Sequence, residues 1–335
     1  MGGHDGLAST LMAADLGWLA IGLIALVVGS EWLVKGGSRL ASGLGISPIL
    51  VGLTVVSIGT SMPELAVGLR AAASGNGSLA VGNIAGTNIV NVLLILGLSA
   101  LIRPLSLHLR TPKLDLPMMT AAALLLWLLA ADGTLAMSGG AVLTVAALLY
   151  TAVLIVSARR ESQSVQAEFA DEYATPVIGR SRGAMARELA LLLVGIVVVV
   201  IGADWLVGGA VGVAQTFGVS DAFIGLTVVA IGTSAPELAT TLVATFRGER
   251  DIAIGNLLGS SVYNILLILG LTVLGAGRPL HLDPDLVRID IPLMALVALV
   301  CIPIFLTGRR VSRREGGAMV AAYLAYLTFL VISQT

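Results

Sequence analysis

Residues 52–66 read Gly-Leu-Thr-Val-Val-Ser-Ile-Gly-Thr-Ser-Met-Pro-Glu-Leu-Ala, and residues 225–239 read Gly-Leu-Thr-Val-Val-Ala-Ile-Gly-Thr-Ser-Ala-Pro-Glu-Leu-Ala. The likeness runs on without a gap: Gly52–Leu98 and Gly225–Leu271 agree at 27 of 47 positions, 173 residues apart. Each copy sets one carboxylate, Glu64 or Glu237, in an otherwise apolar helical stretch interrupted by a Gly and a Pro. A charge at membrane depth costs about 2.5 kcal/mol or more, so an acid there points to function. Hydrophobic segments broken by Gly and Pro at matching places in two halves point to a transporter's binding site.

Composition fixes the class. The 335 residues are 57% apolar and 12% charged, with mean hydropathy +0.98, which excludes an ordinary soluble domain. The net charge of −1 gives no reason to expect a nucleic-acid partner. Cys301 is the single cysteine and lies in an apolar run, so no intrachain disulfide is expected. Residues 1–15 lack a basic n-region and carry His4 and Asp5, so the first apolar run is not expected to be a cleaved signal peptide.

At about 20 apolar residues per crossing, the chain reads as ten helices, near 16–45, 47–73, 79–101, 113–131, 137–157, 187–216, 220–246, 252–274, 287–307 and 316–333. Two halves, 1–157 and 186–335, flank a polar connector at 158–185. An odd five spans per half forces the second half to enter the membrane from the opposite side. The expected fold is therefore an all-α integral membrane protein with two inverted five-helix repeats. With the N-terminus outside, inner loops and helix ends hold 16 of 19 basic residues; the outer ones hold Arg70, Arg278 and Arg288. The positive-inside rule then places both termini outside and the connector in the cytoplasm of a multi-pass cell-membrane protein.

Pro63 cannot donate to the carbonyl of Gly59, so the second span should break there and free main-chain carbonyls. Such carbonyls must face protein or a polar cavity. Ser57, Thr60, Ser61 and Glu64 share one helical face, and Thr87 and Asn91 share one on the next span. The second half offers Ala230, Thr233, Ser234 and Glu237, then Ser260 and Asn264. All of these are oxygen donors; His4, His108 and His281 lie outside the motif. Oxygen-only ligation suits hard cations such as Ca²⁺ or Na⁺.

The two segments resemble the α-1 and α-2 repeats of the cation/Ca²⁺ exchanger superfamily, in its Na⁺/Ca²⁺ exchanger branch. The resemblance covers essentially the whole chain in span count and symmetry, and the doubled Gly-Thr-Ser-x-Pro-Glu carries it. It implies cation ligands at Ser57 (carbonyl), Thr60, Ser61, Glu64, Thr87 and Asn91, and at Ala230 (carbonyl), Thr233, Ser234, Glu237, Ser260 and Asn264. The H⁺/Ca²⁺ branch usually has Gly-Asn-Ala in place of Gly-Thr-Ser. Some relatives, potassium-dependent ones included, have Asp where this chain has Asn264, which argues against K⁺ dependence. The large regulatory insert of animal exchangers has no counterpart here, so no separate Ca²⁺-sensing domain is expected.

The implied activity is antiport of Ca²⁺ against Na⁺, with no resident cofactor, no enzymatic reaction and no obligatory protein partner. Alternatives are an H⁺/Ca²⁺ exchanger of the same fold and, less favoured, a cation channel. No nucleotide-binding Gly-x-x-x-x-Gly-Lys-Ser/Thr occurs, so an ion gradient must supply the energy. Asn83 and Asn256, in paired Gly-Asn dipeptides, fit either site lining or helix packing. Glu31 and Asp204 read as interfacial acids or as entry groups, and Asp115 and Asp290 as interfacial helix starts.

Overall fold

The computed structural model describes residues 2–106, 114–159, 182–217, 230–306 and 310–334. Helix α1 (Gly2–Leu44) is followed by α2 (Pro48–Thr60) and α3 (Met62–Ala73), which meet at a 41° bend. Next come α4 (Gly77–Ile102), α5 (Leu116–Leu129), α6 (Met137–Arg159) and α7 (Arg182–Thr216). The second broken element is α8 (Ala230–Thr233) and α9 (Ala235–Arg247), followed by α10 (Arg250–Ala276), α11 (Leu286–Leu306) and α12 (Arg313–Gln334).

Six described helical segments are long and apolar enough to cross a membrane, and the bent α2–α3 pair makes a seventh. The molecule is an all-α membrane protein. The fourth expected span is the shorter apolar α5, while α9 and α12 fall in the seventh and tenth expected ranges. Residues 220–229, the start of the expected seventh span, lie outside the described residues. So does most of the expected connector, which helix enters from both ends, to Arg159 and from Arg182.

The helices divide into an inner and an outer set. The most apolar stretches of α4 and α10 are 72% and 83% buried within the protein, against 17% and 28% for those of α1 and α7. The outer pair is held by glycine. A Cβ added at Gly22, Gly29 or Gly36 of α1 would lie 2.4 to 2.8 Å from the backbone nitrogens of Leu206, Val199 and Leu192 in α7. Gly195, Gly202 and Gly209 of α7 approach Leu33, Leu26 and Leu19 of α1 just as closely. As the α1 number rises the α7 number falls, so the two helices run antiparallel. Without a hydrophobic drive inside lipid, such backbone-to-backbone contact is what binds the pair.

Four two-residue strands tie the loops crosswise. β1 (Leu105–Ser106) pairs with β4 (Arg310–Val311), and β2 (Thr134–Leu135) with β3 (Leu280–His281), both antiparallel. Each ladder joins one half of the chain to the other.

Candidate functional site

Both broken segments turn in the same way. Ser61 (φ −84°, ψ 9°) and Ser234 (φ −86°, ψ 5°) leave the helical basin, and helix restarts at Met62 and Ala235. The break lies two residues before Pro63 and Pro236, which sit in the first turn of the new helix, where a missing N–H is tolerated. Glu64 and Glu237 occupy the same first turns, where the positive end of the helix dipole favours a carboxylate. Both glutamates are fully buried.

Glycine brings the two halves together here. In α10, a Cβ at Gly255 would lie 2.6 Å from the Ile49 carbonyl, and one at Gly259 would lie 2.2 Å from Ser57 Oγ. With only hydrogen at those positions, α10 rests directly on α2. Ser57 Oγ can then donate to the carbonyls of Asn256 (3.0 Å) and Gly255 (3.3 Å), as well as Gly52 (2.6 Å). Ser61 Oγ donates across the halves to Glu237 Oε1 at 3.2 Å. Thr60 and Ser260 lie near the same carboxylate, and Glu64 is close enough to repel Glu237.

The Ser57 carbonyl accepts from the Ser61 N–H (3.1 Å) and from Thr60 Oγ1 (3.4 Å). The turn at Ser61 keeps one helical hydrogen bond across the bend. What the structure leaves without protein partners are side chains. Among the described residues these include both oxygens of Glu64, Glu237 Oε2, Thr87 Oγ1, Ser234 Oγ, Ser260 Oγ and both amide ends of Asn91 and Asn264, all buried. A buried polar atom with no partner costs about 1–3 kcal/mol, and these atoms all belong to the two repeated segments. Apart from the two amide nitrogens they are carboxylate, hydroxyl and amide oxygens, the donor set of a hard cation. Thr233 is half-buried at the end of α8, which Ala230 opens.

Asn91 and Asn264 belong to π-helical turns, Val90–Leu96 in α4 and Asn264–Leu269 in α10. The wider turn adds a residue per loop of helix and is frequent at functional sites. Its apolar sequence, Ile/Leu-rich in both copies, gives no sign that separates it from ordinary helix.

Residues 15–156 and 187–332 match the family described as sodium/calcium exchanger protein. The chain belongs to this family. It is 34% identical over 322 residues to the putative antiporter CaxA of Alkalimonas amylolytica, covering 94% of this chain and 98% of that protein. Over 341 residues it is 32% identical to the sodium/calcium exchanger MaX1 of Methanosarcina acetivorans (93% and 97% covered). Over 285 residues it is 37% identical to the inner membrane protein YrbG of Escherichia coli K12 (84% and 86%). The fold superposes on the sodium-calcium exchanger NCX_Mj soaked with 10 mM Na⁺ and zero Ca²⁺, with TM-score 0.82, 27% identity and 95% and 99% coverage.

Other acids of this exchanger have plainer surroundings. Glu31 pairs with Lys35 (2.7 Å) and with Arg247, and Asp204 is exposed. Asp115 stands at the start of α5, as its sequence suggests, but is enclosed by protein. It is fully buried and accepts a hydrogen bond from Tyr150 at 3.2 Å, because α6 packs over the start of α5. Asp290 is matched to Tyr326 in the same way at 3.4 Å. Outside the spans, Glu249 is held above the usual carboxylate range by burial, with Asp251 adding repulsion and the Ser38 hydroxyl (3.1 Å) opposing it. Sequence reasoning missed Thr241, whose Oγ1 accepts from Asn256 Nδ2 at 3.0 Å. Its equivalent 173 positions earlier is Gly68, so the repeat gives no signal for it.

Proposed function

We propose that this exchanger is a secondary antiporter that moves Ca²⁺ against Na⁺ by alternating access. The observation that carries the reading is the meeting of two buried carboxylates, one from each half, among oxygen atoms that protein does not satisfy. Two negative charges match one Ca²⁺ or two Na⁺, so one surface would serve either load but not both together. The assigned ligands are Ser57 and Ala230 through their carbonyls, with Thr60, Ser61, Glu64, Thr87 and Asn91, and Thr233, Ser234, Glu237, Ser260 and Asn264. The cargo is inorganic cations, and the reading needs no resident cofactor, chemical reaction or partner protein.

The same reading takes the chain as ten spans in two inverted five-helix repeats, 1–157 and 186–335, joined by a cytoplasmic connector at 158–185, with both termini outside. The antiparallel α1–α7 seam supports it: Gly22 against Leu206 becomes Gly195 against Leu33 when each number shifts by 173 and the halves exchange. The crosswise strand ladders repeat under the same exchange at a shift of 175 or 176. The helices α1 and α7 would rock as one body against the inner set.

Na⁺ is favoured as counter-ion by the likeness to the sodium/calcium exchangers MaX1 and NCX_Mj and by the Gly-Thr-Ser motif. The second reading, H⁺ exchange, draws on the two mutually repelling buried carboxylates, which could carry protons instead. The deciding experiment uses Ca²⁺-loaded proteoliposomes. Antiport with Na⁺ requires Na⁺ on the opposite side, H⁺ exchange requires a pH gradient, and a channel requires neither.

A further inference from the structure

We propose that Asn256 is a positioning residue that fixes the Thr60 hydroxyl for cation binding, and that Thr241 holds Asn256 in the required orientation. A hydroxyl has one hydrogen and two lone pairs. To offer a lone pair to a cation, Thr60 must send its hydrogen elsewhere. Asn256 Oδ1 lies 3.2 Å from Thr60 Oγ1 and can take it. The Glu237 carboxylate and the Ser57 carbonyl (3.4 Å) are also within reach of Thr60, but both are assigned ligands, so a bound cation engages them and leaves Asn256. The amide must then present oxygen, not nitrogen. Thr241 secures this by accepting from Asn256 Nδ2 at 3.0 Å, and the Asn256 carbonyl is fastened by Ser57 Oγ at 3.0 Å. Thr60, Thr241 and Asn256 are all fully buried, so no water competes for these bonds.

The other half has no counterpart of Thr241. Asn83 is the counterpart of Asn256, but Gly68 stands where Thr241 would be, and Asn83 Nδ2 is buried without a protein partner. A Cβ at Gly68 would lie 2.7 Å from Thr272 Oγ1, so packing keeps threonine out. The two Gly-Asn dipeptides are therefore not equivalently supported.

The inference rests on the reading of Thr60 as a ligand, and a double-mutant cycle separates the two. Na⁺-driven ⁴⁵Ca²⁺ flux in proteoliposomes is measured for Thr60→Val, Asn256→Leu, Thr241→Val and each pair with Thr60→Val. Asn256→Leu and Thr241→Val are expected to raise the half-saturating Ca²⁺ concentration about three- to tenfold, the worth of one hydrogen bond, with little change in maximal rate. In the Thr60→Val background neither should add anything. If Thr60→Val leaves half-saturation unchanged, Thr60 is not a ligand and the inference falls with that reading. If Thr60→Val weakens Ca²⁺ but the other effects are absent, or multiply with it, Thr60 stands and the positioning role is overturned. Thr241→Val, nearly isosteric, keeps the test available if Asn256→Leu does not fold.

Discussion

Neutralising one glutamate should weaken Ca²⁺ far more than Na⁺, and the ratio is the informative quantity. Glu64→Gln and Glu237→Gln keep shape and remove one of the two buried negative charges. A unit pair at about 4 Å with an effective dielectric of about 20 is worth about 4 kcal/mol, and a divalent ion doubles that to about 8. About 2 kcal/mol is returned for either ion, because the variant no longer buries a charge or suffers the Glu64–Glu237 repulsion when empty. The net loss is then about 6 kcal/mol for Ca²⁺ and about 2 kcal/mol for Na⁺. At 1.4 kcal/mol per tenfold, these are roughly twenty-thousandfold and thirtyfold. Glu237 starts with a hydroxyl donor, Ser61 at 3.2 Å, whereas neither oxygen of Glu64 has a protein partner. Glu64→Gln should therefore be the purer charge deletion. The assay is calorimetric or filter binding of ⁴⁵Ca²⁺ and ²²Na⁺ to purified protein at matched folded amounts. Near-wild-type Ca²⁺ affinity in either variant, or equal losses for the two ions, would refute the charge-matching argument.

Other outcomes follow from the same geometry. Na⁺-driven Ca²⁺ flux should persist when choline replaces K⁺, because Asn264 supplies no third charge; collapse in choline would assign a K⁺ site to another acid, such as Asp204. Ca²⁺ affinity of detergent-solubilised protein should fall from pH 8 to pH 5, because a proton on either site glutamate removes a charge the divalent ion needs; an affinity flat with pH would oppose this. Glu249→Gln should raise thermal stability at alkaline pH, with the gain shrinking as pH falls. The sign follows because burial raises the carboxyl's folded pKa, so its ionised form destabilises above that value while its protonated form does not. Gly29→Val should abolish transport, because its Cβ would meet Val199 at 2.8 Å and part α1 from α7, while equilibrium Ca²⁺ binding by the inner helices survives; loss of both together would place the seam's role in folding instead.

The candidate site stands out in the sequence because of the repeat. An apolar helix with one acid is ambiguous, but Glu64 and Glu237 at identical places in two copies are not. The Gly-Pro break is likewise legible, since proline chemistry is local; the structure moves the turn to Ser61 and keeps the Ser57 carbonyl engaged. What the sequence hides is whatever depends on partners distant in the chain. Asp115 is the helix start that its local sequence marks, yet nothing local shows that Tyr150, 35 positions on, bonds to it. The π-turns at Asn91 and Asn264 are hidden for a different reason: a run of Ile and Leu suits both helix types, and only packing chooses.

A duplicated site also teaches through its mismatches. If the two halves were held to the same chemistry, positions 173 apart would agree wherever they touch the cation. They agree at Thr60 and Thr233, Ser61 and Ser234, Glu64 and Glu237, and Asn91 and Asn264. They differ at Ser57 and Ala230, where the side chain is not the assigned ligand. In the first half the Ser57 hydroxyl binds helix to helix, through the Asn256 carbonyl at 3.0 Å. They differ again at Gly68 and Thr241, of which Thr241 touches the site through Asn256. At Thr87 and Ser260, also assigned as ligands, they differ in residue but both keep a hydroxyl, so the proposed ligating layer is two-fold in its chemistry and the supporting layer is not. A symmetric donor set lets either half present the same oxygens to a spherical ion. An asymmetric support gives the two halves different stiffness, which alternating access requires if opening to one side is not to be the mirror image of opening to the other. Substitutions in the supporting layer should therefore shift the balance between the two directions of transport, whereas substitutions in the ligating layer should depress both.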